Sequence, residues 1–139
     1  MVVVTRVLQV EAGGDGEVID LTDSIAHELT SCPMHSGTVT VFVKHTTAAV
    51  TVMELEPGLL KDYKQFWDRV APREFPYEHH RVWREDNGHS HIRASTLGPS
   101  LVVPFSEGCL TLGTWQRVVL MDFDTRARTR EVVLQVMGE

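Results

Sequence analysis

"TVTVFVK", residues 38–44, decides how the chain is read. Val39, Val41 and Val43 fall on one side of an extended segment, and Thr40, Phe42 and Lys44 on the other. That period of two belongs to a half-buried strand. Working outward, "VVVTRVLQV" (2–10), "EVIDLT" (17–22), "AAVTVMEL" (48–55), "SLVVPF" (100–105) and "TREVVLQVM" (129–137) carry the same β-branched character. "CLTLGTWQRVVLMDFD" (109–124) reads as one long strand or two joined at Gly113. Pro104 places its strand at an edge or near its end. "GGDG" (13–16), "SEG" (106–108) and "DTRAR" (124–128) supply turns. The pattern predicts seven or eight strands in a mostly antiparallel sandwich or barrel-like fold.

Helices are fewer. Pro57 opens "PGLLKDYKQFWDRVA" (57–71), where Leu59, Tyr63, Phe66 and Val70 recur at helical spacing. Asp23 is the expected N-cap of a short helix over "SIAHELTSC" (24–32). Residues 72–88, with two prolines, three aromatics and many charges, read as a long loop.

One domain spanning 1–139 accommodates this length, and such a chain buries enough surface to fold without disulfides. The net charge of −6 and the lack of a basic run argue against a nucleic-acid partner. No apolar stretch approaches membrane-spanning length, and the N-terminus lacks the character of a signal peptide. Two cysteines outside any CxxC pair fit a reducing, cytoplasmic setting, with Cys109 packed in a strand. Nucleotide-binding glycine loops, GxSxG and HExxH are absent.

Polar groups at strand ends are the candidates for chemistry. His45, Thr46 and Thr47 follow the alternating strand, and Glu54 ends the next. "DNGHSHIRAS" (86–95) holds His89 and His91 two apart. In a strand both imidazoles would share a face and one metal could take both; in a helix they lie about 200° apart. Adjacent His79 and His80 would point to opposite faces if extended, so at most one joins any site. Gly113 marks a bulge or a close ligand approach, with Thr114 and Gln116 beside it and Trp115 in the core on the structural alternative. Asp122, Asp124, Arg126, Arg128 and Arg130 form a solvated turn or an anion clamp.

"HTTAAVTVME", "DNGHSHIRAS", "LGPSLVVP", "LGTWQRVVLMDFD" and "VVLQVMGE", taken in order, resemble the YjbQ-like family, also called the secondary thiamine-phosphate synthase family. The resemblance implies a small α+β, mainly β domain: a jelly-roll-like antiparallel sandwich with one main helix and short helical turns, assembled as a homotrimer. It implies a transferase-type activity joining a pyrimidine diphosphate to a thiazole phosphate. Its polar pattern falls on His45, Thr46, Thr47, Glu54, Asn87, His91, Gly113, Thr114, Trp115 and Gln116, whereas His89 stands where many relatives carry a small or acidic residue. From "REFPYEHHRVW" (73–83) it carries over His80 alone.

Three functions remain open: the transferase that the resemblance implies, a metal-dependent hydrolase of a small phosphate ester, and a non-catalytic ligand-binding module. The expected catalytic groups are His45, Glu54, His91 and Gln116. The substrate-binding groups are Thr46, Thr47, Asn87, Gly113, Thr114 and Arg126. A divalent metal, zinc or magnesium, would be held by His45 and His91 with His89 as a third ligand. The expected partner is a small phosphorylated substrate.

Overall fold

The computed structural model describes all 139 residues. The elements run β1 (Val2–Ala12), β2 (Glu17–Asp20), α1 (Thr22–Thr30), β3 (Gly37–Val43), β4 (Ala48–Met53), α2 (Pro57–Val70), α3 (Glu78–Trp83), α4 (Gly88–Leu97), β5 (Ser100–Ser106), β6 (Cys109–Leu110), β7 (Arg117–Asp122) and β8 (Arg128–Gly138). Two antiparallel sheets result, ordered β1-β8-β3-β5-β6 and β2-β7-β4. The chain is mainly β with four helices, none long and apolar enough to cross a membrane.

The alternation over 38–44 is realised in β3, which lies between β8 and β5. Val39, Val41 and Val43 are buried against Val132, Leu134 and Val136 of β8 and Val118 and Leu120 of β7. One apolar core therefore joins both sheets with Ile25 and Leu29 of α1. The other face of β4 and β7 carries Ala49, Val119 and Met121, which with Phe123 just beyond β7 pack on Trp67 of α2 and Ala94 of α4. Burial on both faces explains why "VVLM" in β7 is apolar without alternation.

Several expectations change. The stretch 72–88 is not all loop, because α3 forms within it. Trp67, not Phe66 or Val70, is the buried residue of α2, since the helix turns Phe66 and Val70 outward (48% and 56% exposed). Asp23 lies in the first turn of α1 rather than capping it; Asp20 Oδ1 accepts from the Thr22 N–H instead. Trp115 is 72% exposed, not core, because Gly113–Gln116 forms a turn that projects between β6 and β7. Cys109 is exposed because β6 is a two-residue edge strand. Pro104 belongs to β5, whose far side meets only that short β6 through Phe105 and Ser106, so its missing N–H costs no ladder bond there.

Beside the core runs a buried polar chain. Arg130 of β8 is 1% exposed and grips the Asp122 carboxylate of β7 with two bonds, Nε to Oδ2 at 3.1 Å and a terminal amino group to Oδ1 at 2.7 Å. The same amino group donates to Thr47 Oγ1 at 2.8 Å, and the Thr47 hydroxyl donates to Asp124 Oδ2 at 3.0 Å. A buried pair broken on one side leaves an uncompensated charge, at a cost of about 3–5 kcal/mol. Arg130→Met should lower unfolding stability by about that amount in urea titrations, and adding Asp122→Asn should restore part of it. Equal stability of wild type and Arg130→Met would show that the pair is not a support of the fold.

Candidate functional site

Pairing of β4 with β7 sets Ala48 opposite Asp122 at one end and Met53 opposite Arg117 at the other. At the first end the exit of β3, the exit of β7, the entry of β8 and the first turn of α4 meet. An open cleft of about 750 Å³ forms there, lined by Lys44, His45, Thr46, Asn87, His91 and Arg128 among others. A groove of about 460 Å³ adjoins it and shares His45, Thr46, His91 and Pro99, adding Ala48, Ile92 and Ala94. His45 and His91, 46 positions apart in sequence, thus line one site.

The tautomer of His45 follows from its backbone bond. Its Nε2 accepts from the Glu131 N–H at 3.0 Å, so Nε2 keeps its lone pair and Nδ1 carries the proton. Burial, followed by the nearby Arg130 charge, lowers the His45 pKa and favours this neutral form. His45 is therefore an N–H donor at the cleft. The expected metal-ligand role does not suit it, because one nitrogen is bonded and the other protonated.

Around it sit the cationic groups. Lys44 Nζ pairs with Glu131 at 3.0 Å, half-exposed. Arg128 commits its Nε to Asp124 Oδ2 at 2.6 Å, its terminal amino groups make no other hydrogen bond, and the residue lines the cleft. Burial alone would raise the Asp124 pKa, but the Thr125 N–H, the Thr47 hydroxyl and Arg128 together hold it below the usual carboxylate range. Asn87 donates to Asp124 Oδ1 at 3.4 Å, and Thr47 is buried in the same chain of bonds. Asn87 and Thr47 therefore position Asp124, leaving Thr46 as the exposed hydroxyl. Arg126 lies exposed in the β7–β8 turn and lines none of these surfaces; Arg128 takes the place expected for it, because 128 shares a strand side with 130.

The "DNGHSHIRAS" segment is helical, and this separates the two histidines. Its buried side carries Ser90, whose hydroxyl bonds the Phe123 carbonyl, and Arg93, whose Nε donates to the Ala71 carbonyl at 2.9 Å. Arg93 thereby satisfies the carbonyl end of α2 and clamps α4 in place. His89 is buried, and burial followed by the charges of Arg93 and Arg73 pushes its pKa down to about 4. It lines neither the cleft nor the groove, so the expected His89–His91 ligand pair fails on helical geometry. His91 turns to the cleft, its pKa lowered by burial and then by neighbouring His79.

Of the adjacent pair, His79 rather than His80 reaches His91. Their ring centroids lie 4.6 Å apart. His80 Nε2 instead accepts from the Gly88 N–H at 2.9 Å, which joins α3 to the start of α4. Gly88 is required there, since a Cβ would stand 2.7 Å from the Tyr77 side chain. Ligand atoms of His79, Glu85 and His91 all fall within 4.8 Å of one another. Glu85 escaped the sequence reading because no short motif links it to the histidines, and of the adjacent pair the resemblance carried over His80, whereas the structure brings His79 to His91. The Glu78 that follows Pro76 and Tyr77 was the one local hint of a helix start.

Glu54, Gly113, Thr114 and Gln116 belong elsewhere. They sit at the other end of β4 and β7, a strand length or roughly 17 Å away. Glu54 and Thr114 line a separate cleft with Asp20, Glu56, Trp115 and Arg117. Gln116 Oε1 accepts the Gly113 N–H at 2.8 Å, so its carboxamide closes its own turn. Within one chain, the expected catalytic set is split in two by the register of β4 against β7.

Comparison with known proteins agrees with this architecture. Residues 6–139 match the family described as UPF0047 protein YjbQ-like. An Archaeoglobus fulgidus UPF0047 protein is 39% identical over 87% of this chain and 91% of its own length. Bacillus subtilis YugU is 34% identical over 96% and 98%. A hypothetical protein from Aeropyrum pernix K1 superposes with a TM-score of 0.89 at 35% identity, covering 97% and 98% of the two chains. A Clostridium acetobutylicum protein of the same family gives 0.85 at 29% identity over 95% and 99%. Matched along almost its whole length in sequence and in fold, the chain belongs to the YjbQ-like UPF0047 family.

Proposed function

We propose that the chain is a small-molecule enzyme whose cleft binds a phosphorylated substrate carrying an apolar ring. The observation behind this reading is the junction of two surfaces. Lys44, the His45 Nδ1–H, Thr46 and the free amino groups of Arg128 offer donors to an anion, and the groove shared through His45 and His91 offers Ile92, Ala94 and Pro99 to a ring. Charge-assisted donors of this kind suit phosphate oxygens.

Hydrolysis of a phosphate ester suits the cleft best, because it is open and lined chiefly by polar and charged residues, so water has ready access. The oxygen of water bonds to phosphorus, the ester P–O bond breaks, and the alcohol leaves with a proton taken from that water. The condensation of a pyrimidine diphosphate with a thiazole phosphate is the second reading, and the apolar groove is what favours it. That reaction needs a drier site to protect a cationic pyrimidine. Incubation with p-nitrophenyl phosphate and, separately, with the two thiamine precursors distinguishes them: release of nitrophenol supports the first, thiamine phosphate the second, and neither product at any enzyme concentration rejects both.

We also propose self-association as a trimer. Val3 of β1, Met137 of β8, Phe42 of β3 and Val102 of β5 leave the outer face of the larger sheet apolar and exposed. Such surface is commonly covered by another subunit.

Three outcomes are expected. Arg128→Met should lower kcat/KM for a phosphorylated substrate about 10–100-fold, the loss of one charge-assisted bond, with the melting temperature monitored in parallel. An unchanged kcat/KM would remove Arg128 from the site. Sedimentation equilibrium at micromolar concentration should give about three times the chain mass, and Val102→Asp should shift it toward monomer; a wild-type monomer contradicts the assembly. His45, facing Arg130, Arg128, Glu131 and Asp122, has a folded pKa below its unfolded value near 6.5. The unfolded chain therefore binds the proton more readily below that pH, and His45 adds to stability loss as pH falls from about 6.5 toward the folded pKa. Well above 6.5, where both states are deprotonated, it adds no slope. Wild type should lose more thermal stability than His45→Gln between pH 7 and 5, and parallel curves would contradict the assignment.

A further inference from the structure

We propose that His79, Glu85 and His91 form a binding site for a divalent transition metal of the zinc class at the rim of the cleft. Three elements converge to make it. His79 projects from α3, His91 from the first turn of α4, and Glu85 from the short connection between them. Arg84, in the left-handed conformation at φ 53°, ends α3 and turns the chain back so that Glu85 faces the two rings. The Gly88–His80 bond then fixes α3 against α4, and the Arg93 clamp holds α4 on the end of α2. One ligand atom from each of the three residues lies within 4.8 Å of the others, close enough for small side-chain rotations to bring all three onto one ion.

A second observation points the same way. His79 Nδ1 is buried and has no hydrogen-bond partner in the chain. A buried polar nitrogen left unpaired is costly, and a bound cation would satisfy it. The donor set selects the metal. Two imidazoles and one carboxylate suit zinc and its transition-metal neighbours, whereas magnesium takes oxygen ligands. Three protein ligands leave the fourth tetrahedral position open. His91 and Glu85 also line the cleft, so an ion held there would share it with Lys44 and Arg128. The inference deepens the hydrolase reading, supplying a site where a water would be held and made acidic, and it rests on that reading for its catalytic meaning only. The metal site itself stands on the three side chains.

The test uses the full chain, stripped with chelator and titrated with zinc chloride by calorimetry, alongside cobalt chloride followed by visible absorption. One zinc per chain is expected, with a cobalt spectrum of tetrahedral or five-coordinate intensity. His91→Ala and His79→Ala should each weaken zinc binding by 100-fold or more, and Glu85→Gln by about 10-fold. His27→Ala, on an exposed face of α1, serves as the histidine control and should leave affinity unchanged. Because His79 is partly buried, His79→Gln is run beside the alanine variant, and each is scored only with a native melting transition. The proposal is overturned if wild type binds no zinc, or if the folded His79 and His91 variants bind as wild type does. Zinc binding without phosphate-ester turnover would leave the metal site standing and reject the hydrolase reading. Turnover that survives complete metal removal would reject a catalytic role for the site.

Discussion

The buried ion pair of Arg130 with Asp122 is the interaction on which this end of the molecule depends. Both side chains are shut away from water. An isolated charge there would cost several kcal/mol, so each residue is tolerable only with its partner in place and its remaining bonds made. Those bonds reach outward in sequence. Arg130 extends to Thr47 at the start of β4, Thr47 to Asp124 beyond β7, and Asp124 to Arg128 in β8 and Asn87 at the head of α4. One chain of polar contacts thus ties β4, β7, β8 and α4, and the cleft is the surface those elements leave between them.

The helical side of the site is held by a different device. Arg93 spends its guanidinium on the last carbonyls of α2, and Gly88 lets α4 begin against Tyr77 and His80. With α4 held at both points its rotation is set, His89 goes inward and His91 goes to the cleft. The aromatic packing of Trp67 on Phe123, rings 5.2 Å apart, seats α2 on the three-stranded sheet and carries α4 with it. Electrostatics arranges the strand side of the cleft, and packing arranges the helix side.

Much of the fold was legible. Alternation in β3 and the apolar runs of β1, β7 and β8 identify strands because the side-chain period of two survives in sequence. Pro57 marked the start of α2, where Glu56 caps the Gly58 and Leu59 amides. What went unseen was helix within 72–88, since α3 is six residues long and takes its stability from contacts with α4 rather than from its own propensity. The site was half legible. His45, Thr46 and His91 were found from strand ends and family resemblance, but resemblance could not say which groups share a cleft.

The sequence by itself determined a mainly β domain with the alternating valines of β3 inward, a helix from Pro57, and histidines and threonines concentrated at strand boundaries. Tertiary structure decided the rest. The β4–β7 register put Glu54 and Gln116 at the far end from His45, which no local pattern reveals because pairing partners are distant in the chain. Helical winding of 88–97 separated His89 from His91 by about 200°, which the polar, glycine-bearing sequence left undecided. The approach of His79 and Glu85 to His91 arises where two short helices are packed together, so it exists only once the whole chain has folded.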